Sequence, residues 1–415
     1  MTVPVTGKSG SGAGAVTWLR RNLFRSPLDS VITIISAVIA AWVVYKTVNF
    51  IFVTGRWEII RRNEKLLMLG RFPEVHVLRW SITAVTLAGW GGLIAGILRA
   101  RQIASGSIVP DAPFSARRLG DLAARFWIPA VVVLLTLGLA SSSGPWITAV
   151  LAVVAAIAGR LIGPFIGRVK LGRGANATLY TFLAVLPVAL YFYVVDAVGF
   201  DDWGGFTLNL FLAVVSIILC FPLGVMLALG RRSKLPLVQL VSTAYVELVR
   251  GAPLFVLLLL ANVALQFFIP ASLAPSKATR SIVVFTLFTA AYMAEIVRGG
   301  LQSVPTGQSE AAKALGLSPA RQTGLVVLPQ ALRNVIPAQI GQLISLFKDT
   351  SLAGIAMGLF DVLNVASAIP AQGDFRGQGL IGETLAFTAL LFWAVSYTMS
   401  RESQRLEKRL GVGTR

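Results

Sequence analysis

Apolar runs long enough to cross a bilayer recur along the whole chain, and no other feature narrows its possible folds so far. A hydrocarbon core of ~30 Å needs about 20 helical residues. Ten candidate spans can be drawn, at roughly 29–54, 81–98, 125–141, 146–167, 177–196, 206–230, 237–269, 280–299, 332–352 and 381–400. Only helices satisfy their own backbone at this density of apolar sequence. The expected fold is therefore all-α, a polytopic membrane protein of about ten transmembrane helices.

The composition agrees: 55% of the 415 residues are hydrophobic and only 13% charged, too few charges for a solvated surface. A net charge of +19 would suggest nucleic acid in a soluble protein, but here the basic residues cluster between apolar runs and read as topology signals. Arg20, Arg21 and Arg25 flank the first span, Arg99, Arg101, Arg117 and Arg118 follow the second, Arg168, Lys170 and Arg173 the fourth, and Arg231, Arg232 and Lys234 the sixth. These segments are expected in the cytosol, as is the end of the chain with Arg401, Arg405, Lys408 and Arg409, so both termini share one side. Asp196, Asp201 and Asp202 fall on the other. Residues 55–79 break the pattern, with six basic residues on the outer side; apolar positions 59, 60, 66, 67 and 69 suggest an amphipathic helix lying in the membrane interface, or else a docking surface for an external partner.

Lone Cys220 and lone His76 leave no ligand set for a metal and no disulfide within the chain. No His/Asp/Glu or Ser/Lys constellation supports an intramembrane enzyme. The Gly-Lys-Ser of residues 7–9 is not a phosphate loop, because the position that needs the loop's first glycine is Thr2. Residues 1–28 read as a flexible cytosolic tail and 29–202 as plain Ala/Val/Leu spans. Beyond about 203, Pro, Gly, Gln and paired charges enter or adjoin the spans, which places function in the second half, up to 411, with a short tail at 412–415.

One stretch there is not a span. In "EAAKALGLSPARQTGLVVLP", residues 310–329, Ala311, Ala312, Ala314 and Leu315 favour helix and Gly316 is placed to end it in a left-handed conformation. Ser318-Pro319 reads as an N-cap and N1 proline for a second helix that ends before Pro329. Glu310, Lys313 and Arg321 hold the hairpin at a water-facing surface, and the small side chains leave the first helix thin enough for a partner backbone to approach. The pattern Glu310-Ala311-Ala312, Gly316, Val326, Leu328-Pro329 resembles the EAA signature of ABC importer permeases, with Val326 where isoleucine is usual.

"AYVELVRGAPL" (244–254), "AAYMAEIVRGGLQSVPTGQSEAA" (290–312), "LPQALRNVIPAQIGQLISLFKDTSLA" (328–353) and "FWAVSYTMSRESQRLEKRLG" (392–411) are similar to the polar and general amino-acid permeases of type I ABC importers. The likeness is greatest to the large permease subunit of the general L-amino-acid and glutamate/glutamine/aspartate/asparagine systems, whose extra spans precede a five-span core. It covers 203–411 closely and 1–202 only in layout.

Two further features carry alternative readings. Pro253 cannot donate to the Val249 carbonyl and Gly251 loosens the turn, so the seventh span should kink there, as a pivot or as a packing bend. On the ninth span Gln339, Gln342, Ser345 and Asp349 share one face beside Lys348, lining either a water-filled path or a helix–helix contact. The resemblance adds Asp361, an acidic residue just beyond this helix that could face a substrate ammonium or act as glue.

The resemblance implies a permease subunit without enzymatic activity, moving amino acids from periplasm to cytoplasm across a bacterial inner membrane by alternating access. ATP and magnesium would belong to separate ABC ATPase subunits docked on a coupling loop at 300–329. A second, related permease and a periplasmic amino-acid-binding protein would complete the assembly. An ion-coupled secondary transporter is the alternative; it predicts inverted repeats and mid-span acids, and neither is visible.

Overall fold

The computed structural model describes residues 22–104, 144–169, 203–270 and 273–410, with Thr17, Trp18 and scattered positions between 178 and 202. Two compact units emerge, 1–57 and 58–415. In the first, α1 (Pro27–Asn49) starts at Ser26, whose hydroxyl accepts from the Asp29 amide at 3.1 Å, and runs into a π turn at Phe50–Thr54. The Trp57 indole closes that turn by donating to the Ile51 carbonyl at 2.9 Å.

The second unit begins with two short helices, α2 (Glu58–Arg62) and α3 (Glu64–Leu69). Next come α4 (Val77–Ala104) and α5 (Gly144–Arg168), packed along their length. Glycine lines that seam: a Cβ on Gly163 would lie 2.5 Å from the Leu93 carbonyl, and on Gly96 2.8 Å from that of Arg160. Small residues are how helices approach where lipid is as apolar as leucine and no hydrophobic force drives them together.

The remaining elements are α6 (Gly205–Gly230), α7 (Pro236–Gly251), α8 (Leu254–Val263), α9 (Lys277–Ser303), α10 (Thr306–Ala314), α11 (Leu328–Asp349), α12 (Leu352–Met357), α13 (Val362–Ala368) and α14 (Ile381–Leu410). The core lies where α9 packs on α6 and α11, and α11 on α14. Leu208, Leu212, Leu258, Phe285 and Met293 are fully buried there. Phe206, Phe347 and Phe392 join α6, α11 and α14 through ring centroids 5.1–6.2 Å apart.

Among the described residues six helices are long and apolar enough to cross a membrane, or seven if α7 and α8 form one bent span. The expected ten is not reached, for identifiable reasons. The candidate at 125–141 and more than half of that at 177–196 lie outside the described residues. The candidate at 332–352 is helical as α11, but Arg333, Gln339, Gln342, Lys348 and Asp349 make it too polar to qualify as an apolar span.

The expected kink in the seventh span is instead a break of 99°. Ala252 and Pro253 are both extended (ψ 138° and 132°), so α7 stops at Gly251 and α8 starts afresh with Pro253 as its N-cap. A proline with an extended residue before it ends a helix where a lone missing hydrogen bond would only bend one.

A second departure concerns residues 55–79. Ile59, Ile60, Leu67, Leu69 and Phe72 are buried, with α3 seated on α5, α6 and α13, and α2 on α14. The amphipathic pattern is real, but its apolar side is covered by the protein's own core where an interfacial helix would turn it to lipid.

Candidate coupling hairpin and substrate path

α10 closes as the alanine-rich run with glycine behind it predicts. Gly316 takes φ 75°, its amide donates to the Lys313 carbonyl at 2.9 Å, and the Leu317 amide reaches back to Ala312 at 3.2 Å. That paired 5→2 and 6→1 closure uses the free carbonyls of the last turn. Ala312 is buried, whereas Glu310, Ala311 and Gly316 are exposed. Leu315 and Leu325 are 81% and 69% exposed, two large apolar groups at the surface of a polar hairpin.

The second arm differs from expectation. Pro319–Arg321 forms one α-turn behind Ser318, and residues Gln322–Val327 then widen into a π turn that leads into α11 with Pro329 in its first turn. The helix therefore does not end before Pro329. In the wider turn the Leu328 amide bonds five residues back, to Thr323, and the slipped register accommodates a proline that has no amide to donate. Gln322 Nε2 donates to the Leu317 carbonyl at 2.7 Å, and Gln330 Nε2 spans to Gln308 Oε1 at 3.2 Å, tying the two arms together.

Beside the hairpin's root lies a charge cluster that reading along the chain does not assemble. Glu295 of α9 accepts from Arg231 at 2.8 Å, from Arg298 through a two-pronged contact, and has Arg250 at 3.8 Å; Arg231 also holds Glu247 at 2.8 Å. α6, α7 and α9 thus meet at one carboxylate. Glu247 and Arg250 are close in sequence, as are Glu295 and Arg298, but Arg231 and the two pairs come from three separate stretches of the chain.

Gln339, Gln342 and Ser345 occupy one face of α11. Gln339 is 7% exposed and its Nε2 has no partner, Gln342, Ser345 and Asp349 are half-buried, and Lys348 is exposed. Gly251 and Pro253 are exposed at the break. Asp361 does not join that face. It is 0% exposed and caps α13, accepting from the Asn364 amide at 2.9 Å and from Asn209 Nδ2 at 3.2 Å. Asn209 completes the junction by accepting from the Val362 amide at 3.1 Å. A Cβ on Gly354 would overlap Asp361 Oδ1, so the carboxylate is packed on backbone. The substrate-facing reading of Asp361 does not fit: no surface of it is open to a ligand. Asn209 and Gly354 were not singled out from the sequence, although an asparagine in an otherwise apolar span was the available signal.

Residues 220–412 match the family described as "Binding-protein-dependent transport system inner membrane component". The inner membrane amino-acid ABC transporter permease protein YhdY of Escherichia coli is 41% identical over 61% of this chain and 69% of its own length. The glutamate/glutamine/aspartate/asparagine transport system permease protein BztC of Rhodobacter capsulatus is 33% identical over 96% of this chain and 94% of its own. A solved amino-acid ABC transporter, crystallised with histidines, aligns with 49% of this chain and 92% of its own at 29% identity and TM-score 0.44.

Proposed function

Because the chain belongs to the inner-membrane permease components of binding-protein-dependent ABC importers, in their amino-acid branch, we propose that residues 310–329 are its docking element for separate ATPase subunits. The observation that carries this is the hairpin itself. Glu310, Ala311 and Gly316 are exposed, Leu315 at the turn and Leu325 in the π turn present large apolar surface, and Leu328-Pro329 continues into α11. A thin helix flanked by two large exposed leucines, one at its C-cap and one on the second arm, fits a groove on a partner, and ATP with its magnesium belongs to that partner.

In this reading nucleotide and loaded binding protein favour the same outward-facing state, and substrate passes by a population shift between outward- and inward-facing arrangements. Gln339, Gln342 and Ser345 line the path, with Lys348 and Asp349 nearer its outer end. The orphaned amide of the buried Gln339 supports this assignment, since an unpartnered buried donor is costly unless something intermittently accepts from it. Asp361 is left out of the path. A second, related permease faces this one, amino acids are the cargo, the two termini lie in the cytosol, and 203–411 is the permease domain behind added N-terminal helices.

The test is co-purification with the ATPase and amino-acid uptake in proteoliposomes, with and without Leu315→Asp. Loss of ATPase binding and of ATP-driven uptake is expected. Uptake that persists without ATP and collapses when ion gradients are dissipated would replace this reading with a secondary transporter.

A further inference from the structure

Residues 58–72 precede the family-matched region, 220–412, by some distance in sequence, yet they pack on the start of α6 and on α13 and α14, the end of the bundle that the proposed topology places outside. Ile59, Ile60, Leu67, Leu69 and Phe72 are buried, and α3 sits against both α6 and α13. The crossing is close enough to exclude side chains. Gly70 is left-handed at φ 64°, and a Cβ there would overlap Gly204 Cα. Gly205 is left-handed at φ 57°, and a Cβ there would lie 2.5 Å from the Leu67 carbonyl. Backbones in this contact have no slack to slide past one another.

The same few residues reach the Asp361 junction. The Gly205 amide donates to the Phe360 carbonyl at 2.8 Å, a Cβ on Gly204 would meet that same carbonyl at 2.7 Å, and the Arg71 guanidinium stacks over the Phe360 ring at 4.4 Å. Lower on the segment, Arg62 pairs with Asp374 at 3.7 Å and lies over Phe375 at 6.0 Å. One short segment thereby grips the start of α6, the turn before α13 and the loop before α14. These are three places that must separate if the outer end of the bundle is to open.

We propose that residues 58–72 are a clamp on the outer end of the permease domain, holding the start of α6 to the Phe360–Asp361 turn, and that its release accompanies opening toward the outside. The proposal rests on the alternating-access reading above. It gives the N-terminal extension a part in the transport cycle: the clamp stabilises the closed outer end, so weakening it raises the population of the outward-facing state in the absence of loaded binding protein.

Two variants test this in the complete complex reconstituted in proteoliposomes. Arg71→Ala removes an exposed stacking contact and leaves the buried residues in place, so folding is preserved. It is expected to raise ATPase activity without binding protein by roughly two- to fivefold, the shift that one cation–π contact at such a site supplies. Arg62→Cys with Asp374→Cys, in a Cys220→Ser background, lets a reducible bifunctional thiol reagent tie the clamp shut. Uptake is expected to stop on tying and to return on reduction. The untied double variant loses the Arg62–Asp374 pair but keeps the Gly70–Gly204 crossing and the Arg71–Phe360 stack, and ATP-driven uptake by it before tying reports on the importer reading itself. Full uptake by the tied protein would overturn the clamp, and so would an Arg71→Ala complex whose ATPase activity matches the parent.

Discussion

Asp361→Ala separates a structural carboxylate from a substrate-binding one. The side chain caps α13 through the Asn364 amide and accepts from Asn209 Nδ2, and it has no exposed surface. Removing it deletes an N-cap, which costs about 1 kcal/mol. It also leaves the buried Asn209 Nδ2 with only its 3.4 Å contact to the Thr350 hydroxyl, and a buried N–H deprived of its acceptor costs about 1–3 kcal/mol more. The sum, about 2–4 kcal/mol, lowers the folded-to-unfolded ratio by roughly thirty- to a thousandfold. Asp361→Asn keeps a residue that caps as well as aspartate and should lose about half as much. Denaturant titration of the purified protein, followed by tryptophan fluorescence, reads the stability. Uptake and binding-protein-stimulated ATPase are measured in the same proteoliposomes. Both activities should fall together in Asp361→Ala and largely recover in Asp361→Asn. A stable, fully stimulated Asp361→Ala complex that cannot take up substrate would refute the reasoning and return Asp361 to the substrate path.

Gly316→Asp should leave the protein in the membrane and abolish ATP-driven uptake, because φ 75° costs a residue with a Cβ up to about 1–2 kcal/mol and a charge then stands at the docking tip; normal uptake with ATPase bound would be the contrary result. Glu295→Gln should loosen α6 and α7 from α9 by removing the carboxylate that three arginines share, seen as several-fold faster tryptic cleavage after Arg231, Arg232 and Lys234 in inside-out vesicles; an unchanged rate would mean the cluster is dispensable. Single cysteines at Lys234 and Asp374, both exposed, should be labelled from the cytosolic and outer sides respectively in a Cys220→Ser background, and the reverse would invert the proposed topology. Gly204 is unsuitable for that purpose, since its Cβ would meet Phe360 and Gly70.

What could be read in advance was what depends on neighbours in the chain. The turn at Gly316 follows from alanines before it and a polar cap after it, all within a few residues. The apolar lengths of α4, α5 and α6 follow from composition alone. Three other features needed residues far apart to be brought together. Ile59, Ile60, Leu67 and Leu69 announce a buried face, but periodicity does not say whether lipid or protein covers it. Gly70 and Gly204 look unremarkable until their backbones touch. Arg231, Glu247 and Glu295 come from three helices. The π turn was illegible for another reason: a slip in register leaves the pattern of apolar residues almost as it was, and Pro329 looked like a terminator where it is the first turn of α11.

That slip also has a mechanical meaning. From Leu328 to Gln339 is eleven residues, ~16 Å along a helix axis, and Pro337 removes a single rung from this rod. A tilt of about ten degrees imposed at the hairpin carries the Gln339 amide sideways by ~3 Å, about the length of one hydrogen bond. The π turn at Gln322–Val327 stands at the foot of that lever, the place where the α-helical register of the rod begins. On the docking reading proposed above, a small push on the hairpin would be geared up into a displacement of Gln339 as long as one hydrogen bond.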